Sequence, residues 1–410
     1  MEYVFVNTEN GKIGGTTERG MRVFAGIPYA RAERFGLPET TSWDGVFNAT
    51  EFGECCPQKR AYYDESVYAP FYHREFRKGV DFRYGENCLC LNVYAPLTGE
   101  NHPVAVFVHG GSFVKGSSDE LPFDGEEFCK RGVVLVTVNY RLGAFGFLSD
   151  GGTPFNLALH DQKAAVEWVS RNIAAFGGDP SNITLMGQSA GAMSVQVLVL
   201  CDEIKTKVKR AVMMSGGGFL RGIFAPHDAK FTEKFSRKVV KVAGVSGFAG
   251  LKDLSARELF DAWQKASAGS LLATVATFPC FDGEIAKKEN YRRFSETEQL
   301  PVMFGTVAND IVPGLLRRAE KEYARRSTAD CWSYRFNHVP AGDGKKGAWH
   351  SCDLWYVFGS LDRCWRPFTS DDREVSRRLS EAVCTFATDG IPKNDGKAWK
   401  KSNDGENVLY

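Results

Sequence analysis

The feature that most constrains this chain is Gly187-Gln188-Ser189-Ala190-Gly191, which directly follows the apolar, β-prone run Ile183-Thr184-Leu185-Met186. A serine hydroxyl is a poor nucleophile unless the fold exposes it and seats a base beside it. A G-x-S-x-G pattern between a strand and a helix supplies the exposure, because the chain turns sharply at the serine. The flanking glycines leave room where a Cβ would collide with that turn. Downstream, Ala192, Val195 and Val199 recur at helical spacing, so the stretch predicts strand, tight turn, then a helix packed on a sheet. Five residues alone are a weak pattern; the strand and helix on either side give it weight.

Composition narrows the class. With 410 residues and 43% hydrophobic content the chain can bury a large core, and its 51 basic and 50 acidic residues leave a formal charge of only +1. No long single-sign block occurs, so there is no electrostatic footprint for nucleic acid. The N-terminus, Met1-Glu2-Tyr3-Val4-Phe5-Val6, reads as a strand and lacks the basic-then-apolar layout of a secretion signal. The longest strongly apolar run, Val133 to Val138, is far too short to cross a bilayer. A soluble, cytoplasmic protein with no membrane partner is expected. Eleven cysteines, an odd number without a secretion signal and without a C-x-x-C pair, predict reduced thiols and no structural zinc. No metal and no cofactor is expected, and the number of subunits is not legible.

Along the chain there are no repeats and no obvious linkers, which predicts one domain over residues 1–410. The first ninety or so residues read as antiparallel: Tyr3–Val6, a turn at Asn10-Gly11, Lys12–Gly14, then Met21–Phe24. Strand and helix then alternate, the signature of a mostly parallel sheet covered by helices on both faces. Val104–Val108, Val133–Asn139, Ile183–Met186, Ala211–Met214, Val302–Gly305 and Trp332–Phe336 are the buried-strand candidates. A helix is predicted from His160 to Phe176, with Ala165, Trp168, Val169, Ile173 and Phe176 on one face, stopped by Gly177-Gly178-Asp179-Pro180. Another runs from Val375 to Thr388 and stops at Asp389-Gly390.

A nucleophilic serine in an α/β-hydrolase needs an oxyanion hole before it in sequence and an acid and a histidine after it, in that order. His109-Gly110-Gly111-Ser112-Phe113, directly after the strand Val104–Val108, is the candidate hole: consecutive small residues let backbone N–H groups converge on one point. The Ala190 N–H, next to the serine, would add a donor. Asp310 lies four residues beyond the buried run Val302–Thr306, at the carboxyl end of a strand, where catalytic loops gather. Asp282 and Glu284 read as a turn. Of the three histidines after Ser189, His227 is out of order, His338 reads as packing at a strand end, and His350 sits in a glycine- and lysine-rich loop with the exposure a base needs.

These residues and their neighbours resemble the type-B carboxylesterase family, which also contains the cholinesterases and non-catalytic adhesion relatives, and within it a short bacterial-type member. The similarity covers nearly the whole chain: Phe24-Ala25-Gly26-Ile27-Pro28-Tyr29-Ala30, Cys56-Pro57-Gln58, Glu86-Asn87-Cys88-Leu89-Cys90-Leu91-Asn92-Val93, Asn139-Tyr140-Arg141-Leu142-Gly143, Asn172 through Pro180, the Ser189 elbow and Gly347-Ala348-Trp349-His350. The resemblance implies an α/β-hydrolase fold and a serine carboxylesterase with Ser189 as nucleophile, His350 as base and Asp310 as acid. Gly111, Ser112 and Ala190 match the oxyanion donors. Asp310 stands where the family usually has glutamate, one methylene longer, so its loop is expected closer to His350. Ser215 matches a serine that supports the acid in relatives, or is simply a strand-end turn residue. Gln188 replaces the usual glutamate beside the nucleophile, and Ser112 replaces a third glycine. Cys56 and Cys88 match a disulfide of secreted relatives, worth roughly 3–4 kcal/mol for a loop of about 30 residues, but expected open in a reducing compartment.

The function so implied is hydrolysis of small-molecule carboxylic esters through an acyl-enzyme. An amidase or thioesterase could use the same residues, and a non-catalytic binding protein could use the same fold. Between Cys56 and Cys88 lie eight aromatics, from Tyr62 to Tyr84, which could line a pocket entrance or pack a long loop. No tryptophan is among them, where choline-binding relatives place one. Only 40 residues separate Asp310 from His350. Leu315 to Arg326 within them reads as a helix with Leu315, Ala319 and Tyr323 on its apolar stripe and Arg317, Arg318, Glu320, Lys321 and Arg325 toward solvent. That short segment predicts a reduced cap and an open pocket beside Ser189.

Overall fold

The computed structural model describes residues 2–219, 224–342, 346–403, 405 and 407–409. A twelve-stranded sheet runs through it. Its strands are β1 (Glu2–Thr8), β2 (Gly11–Glu18), β3 (Met21–Pro28), β4 (Val46–Asn48), β5 (Cys90–Pro96), β6 (His102–Val108), β7 (Val134–Val138), β8 (Gly178–Gln188), β9 (Arg210–Met214), β10 (Val302–Val307), β11 (Cys331–Phe336) and β12 (Asn407–Leu409). Their order is β1-β2-β3-β5-β7-β6-β8-β9-β10-β11-β12, with β4 beside β2. The pairs from β1 to β7 along this path are antiparallel, and every pair from β7 to β12 is parallel. Each strand expected from the sequence lies in this sheet.

The helices of six or more residues are α1 (Pro70–Phe76), α2 (Leu157–Asn172), α3 (Ala190–Leu198), α4 (Ala229–Ala243), α5 (Ala256–Ser267), α6 (Leu271–Ala276), α7 (Pro313–Arg326) and α8 (Ser370–Asp389). The helix predicted to end at Phe176 is α2 followed by a 3₁₀ turn over Ile173–Phe176, and Gly177 at φ 82° closes it. Helix α8 starts in a capping box between Thr369 and Asp372 and ends at Gly390 in the left-handed conformation. Alternation along the central strands deals their side chains to two cores. Val104, Val106, Ile183, Leu185 and Ala211 pack toward Trp168 and Val195 of α2 and α3; Ala105, Phe107, Met186, Val212 and Met303 pack toward Leu379 and Phe386 of α8.

Helix α7 departs from expectation at two positions. Leu316, not Leu315, is buried with Ala319 and Tyr323, and Glu320 is buried rather than facing solvent. Ala319 and Tyr323 are buried as expected, and the buried face is widened by Leu316 and Glu320, with Leu316 bordering the active-site cavity. Cys56 and Cys88 are neighbouring buried thiols; Cys56 Sγ accepts the Leu142 N–H at 3.1 Å, and Cys56 beside it, together with burial, pushes the Cys88 thiol well up.

Arg141 and Asp161 tie the loop after β7 to α2. The guanidinium holds both carboxylate oxygens (2.8 and 2.6 Å) and donates to Gly36 O at 2.8 Å, while the Arg141 N–H reaches Asp161 at 3.1 Å. Both side chains are buried, so removing one partner leaves an uncompensated charge in the interior. Asp161→Ala is expected to lower unfolding free energy by about 3–5 kcal/mol in a urea titration; a loss below about 1 kcal/mol would show that the pair is dispensable.

Candidate active site

Strand β8 ends at Gln188 and helix α3 begins at Ala190, so Ser189 carries the whole change of direction. It sits at φ 56°, ψ −121°, a conformation that a residue with a Cβ rarely adopts. The turn is this tight because α3 comes down directly on the end of the sheet. A Cβ on Gly191 would stand 2.0 Å from Val108 O, and one on Gly187 would stand 2.4 Å from the Gly191 backbone. The Ser189 N–H donates to Met214 O at 2.8 Å, fixing the elbow to β9.

Two loops bring Asp310 and His350 to it. Asn309 pairs with Trp349 in a parallel bridge, its N–H donating to Ala348 O at 2.9 Å. Asp310 and His350 are the next residues on either side. His350 Nε2 lies 3.0 Å from Ser189 Oγ, and His350 Nδ1 lies 2.6 Å from Asp310 Oδ1. The shorter aspartate thus reaches the imidazole because the bridge holds the two loops side by side. Ser215 Oγ donates to Asp310 Oδ2 at 2.7 Å and the Ile311 N–H to Oδ1 at 2.9 Å. Burial alone would raise the Asp310 carboxyl; the bonds from His350, Ser215 and Ile311 outweigh it and hold the group below the ordinary carboxylate range.

The other carboxylates and histidines are elsewhere. Asp282 Oδ1 accepts the N–H groups of Glu284 and Ala286, both at 2.9 Å, in a turn, and Glu284 faces His160 at 3.7 Å. His227 bonds the carbonyls of Asp228 and Phe278, and His338 bonds Asp372 at 2.7 Å beyond the end of β11. Gln188 donates to Ser351 Oγ at 2.8 Å, with its amide nitrogen 3.3 Å from His350 Nε2.

Across from the elbow, Gly110 packs on Gln188 and Ser189, and Gly111, at φ 115°, packs on the Lys115 carbonyl so closely that a Cβ would meet it at 2.0 Å. Ser112 and Phe113 continue in the left-handed region, at φ 56° and 62°. Tyr140 OH donates to His109 O at 2.7 Å and the Gly143 N–H to Phe113 O at 2.8 Å, so the Asn139–Gly143 stretch buttresses this loop. Among the described residues, neither the Gly111 nor the Ser112 amide donates a hydrogen bond. Ala190 opens α3, so its N–H also lacks an intrahelical acceptor.

Two cavities meet at Ser189 and His350. The larger, about 200 Å³, is bordered by Tyr72, Phe76, Arg77, Lys115, Glu120 and Gln188. The smaller, about 60 Å³, is bordered by Met193, Phe224, Phe278, Val312 and Leu316. Of the aromatics between Cys56 and Cys88, Tyr72 and Phe76 reach the larger cavity. Others pack: Tyr62 against Phe260 and Phe71 against Trp349. Between Asp310 and His350, α7 and β11 are the only elements among the described residues. The apolar wall of the smaller cavity is completed by residues before β10, namely Phe224 and Phe278, which the length of the 310–350 segment could not reveal.

The parallel sheet, the strained elbow at the end of its central strand and the loops gathered at its carboxyl edge define an α/β-hydrolase. Comparison with known proteins agrees: the chain matches the carboxylesterase family over residues 2–326 and 313–410. It is 30% identical to the para-nitrobenzyl esterase of Bacillus subtilis, over 97% of this chain and 92% of that protein, and 30% identical to the bile salt-activated lipase of Rattus norvegicus, over 94% and 77%. The solved structure of a PNB esterase superposes with a TM-score of 0.86 at 28% identity, covering 100% of this chain and 96% of that one. A carboxylesterase of Geobacillus stearothermophilus superposes with a TM-score of 0.80 at 26% identity, over 97% and 93%. The chain belongs to the carboxylesterase family, and it is a carboxylic ester hydrolase. No helix among the described residues is long and apolar enough to cross a membrane.

Sequence reasoning passed over Asp353. It is fully buried beneath the His350 loop, accepts from Tyr334 OH at 2.9 Å, and has its other oxygen without a hydrogen bond among the described residues. Its place three residues after His350 on a short helical turn was the available signal. Burial, with the neighbouring Asp310 charge, raises its carboxyl to about 6, against the opposing bond from Tyr334. A folded-state value above the unfolded one means the native protein binds this proton more tightly, so stability falls as pH rises from about 4 to 6. Asp353→Asn is therefore expected to gain Tm relative to the parent as pH is raised from 4.5 to 7.5, read by calorimetry at both values. A Tm difference that does not change with pH would remove Asp353 as the cause.

Proposed function

We propose that Ser189 is the nucleophile, His350 the general base and Asp310 the acid that orients it. The observation that carries this is the unbroken hydrogen-bonded line from Ser189 Oγ through His350 to Asp310, at 3.0 and 2.6 Å. Because Nδ1 faces a carboxylate it holds a proton and donates it to Asp310, leaving the Nε2 lone pair to accept the Ser189 hydroxyl proton. Ser189 Oγ attacks the ester carbonyl. Charge collects on the carbonyl oxygen, where the amides of Gly111, Ser112 and Ala190 receive it; such a donor typically contributes about 3–4 kcal/mol to the transition state. His350 then gives its proton to the departing alkoxide, and an acyl group remains on Ser189. Water, deprotonated by His350, releases the acid. Ser215 steadies Asp310 from the far oxygen, which supports a positioning part for it. Gln188, tied to Ser351, lends no charge to the line.

The acyl-enzyme chemistry could in principle meet an amide or a thioester, but the family membership supports the ester. We also propose that the chain works as one domain in a reducing cytoplasm, on small-molecule substrates and without nucleic acid. One sheet carrying both cores supports the single domain, and eleven unpaired thiols, ten of them buried, support the compartment.

Ser189→Ala and His350→Ala should each remove nearly all hydrolysis of a 4-nitrophenyl ester while circular dichroism stays that of the parent. Retention of more than about a hundredth of the parent turnover by either would contradict the assignment. Asp310→Asn should lower kcat far more than it changes KM, whereas Glu284→Gln should leave kcat within about twofold. The reverse outcome would move the acid to position 284.

A further inference from the structure

The two cavities that meet at Ser189 differ in chemistry, and the difference centres on one residue. In the larger cavity, Arg77 donates from Nε to Glu120 at 2.8 Å and from Nη1 to Glu65 at 2.9 Å, and Arg60 reaches Glu120 at 3.3 Å. All four of these side chains are buried, so two guanidiniums and two carboxylates close on each other. Asp119, behind Arg60, faces Cys55 at 3.7 Å and is not part of the cavity wall. Lys115 borders the same cavity and has no carboxylate partner and no hydrogen bond from its ammonium among the described residues. Its Nζ lies 5.2 Å from the centre of the Tyr72 ring. Burial, aided by the Arg77 charge, lowers its ammonium from the ordinary lysine value against the pull of Glu65 and Glu120. A half-buried ammonium without a counter-charge is costly to hold.

The position of Lys115 is fixed relative to the reacting atoms. Its N–H donates to Gly111 O at 3.1 Å, and its carbonyl is the group against which Gly111 packs. Gln188, which borders the same cavity beside Ser189, is a neutral amide and offers no charge to balance the lysine. Among the described residues the one carboxylate that borders the cavity, Glu120, is engaged by two guanidiniums. The smaller cavity has an apolar wall of Met193, Phe224, Phe278, Val312 and Leu316; its polar edge is Ser112, Ser189, Ser215, His350 and Asp310, and the Asp310 carboxylate is bound to His350 and Ser215.

We propose that the esters hydrolysed at Ser189 carry a carboxylate, which seats against Lys115 in the larger cavity while an apolar group occupies the smaller one. The proposal rests on the serine-esterase reading of Ser189. Lys115 is then a specificity-determining residue: it acts through the substrate's remote charge and takes no part in the bond exchange.

The test uses two matched pairs, each an anionic ester and its methyl-masked neutral counterpart: 4-nitrophenyl hemiadipate with 4-nitrophenyl methyl adipate, and 3-acetoxybenzoate with methyl 3-acetoxybenzoate. The first pair puts the carboxylate on the acyl side and the second on the alcohol side. Release of the nitrophenol or phenol is followed for the parent, Lys115→Met and Lys115→Gln. The expected result is a kcat/KM ratio of anionic to neutral ester above one for at least one pair in the parent. That ratio should fall about tenfold or more in both variants. A ratio below one for both pairs in the parent, or ratios that Lys115 substitution leaves alone, would overturn the proposal. The neutral esters separate this failure from a deeper one: if Ser189→Ala still hydrolysed them at the parent rate, the esterase reading of Ser189 would fall, and the lysine's part with it.

Discussion

The contact on which the site depends is the descent of helix α3 onto the end of the sheet. Gly191 touches the Val108 and His109 carbonyls at the end of β6, and Gly187 touches Gly191, with no room for a methyl group at either place. Ser189 is forced into its strained conformation by that approach, with its hydroxyl directed away from the crowded backbone. At the same place Gly110 packs on Gln188 and Ser189, while Gly111 closes on the Lys115 carbonyl within its own loop. That steric constraint places the candidate nucleophile beside the candidate oxyanion loop, and the parallel order β6-β8-β9-β10 delivers Asp310 from the end of β10, two strands along the sheet from β8.

Electrostatics completes what packing begins. Asp310 is buried, yet three donors hold it ionised beside the imidazole. Asp353, nearby and more deeply buried, accepts from Tyr334 and rises to about 6. The two carboxyls differ in the number of hydrogen bonds they accept and in burial, and the one that stays ionised is the one suited to the proposed role beside His350. Lys115 shows the same logic with opposite sign, since it is a cation brought partly out of water without a partner.

Much of this was legible in the sequence. Buried parallel strands are unbroken apolar runs, so β6 to β11 stood out before any pairing was known. The elbow announced itself through its glycines, and the resemblance carried Asp310 and His350 to the site that the Asn309–Trp349 bridge assembles. Other features depend on contacts between distant segments. On α7 the stripe through Ala319 and Tyr323 was legible, but Leu315 stood in for Leu316 because both are apolar, and the burial of Glu320 gave no signal in its spacing. The charge balance around Lys115 needs Glu65, Arg60, Arg77 and Glu120 placed in space, and nothing in their spacing sets those pairings. Phe224 and Phe278 reach the smaller cavity from a region whose helices α4 to α6 lie far from Ser189 in sequence.

The most direct measurement of the central claim is covalent trapping. Incubation with a 4-nitrophenyl alkylphosphonate should release one equivalent of nitrophenol per chain and abolish activity, and peptide mass spectrometry should find the phosphonyl group on Ser189. No labelling of Ser189, or stoichiometric labelling of Ser112, Ser215 or Ser351 in its place, would contradict the account.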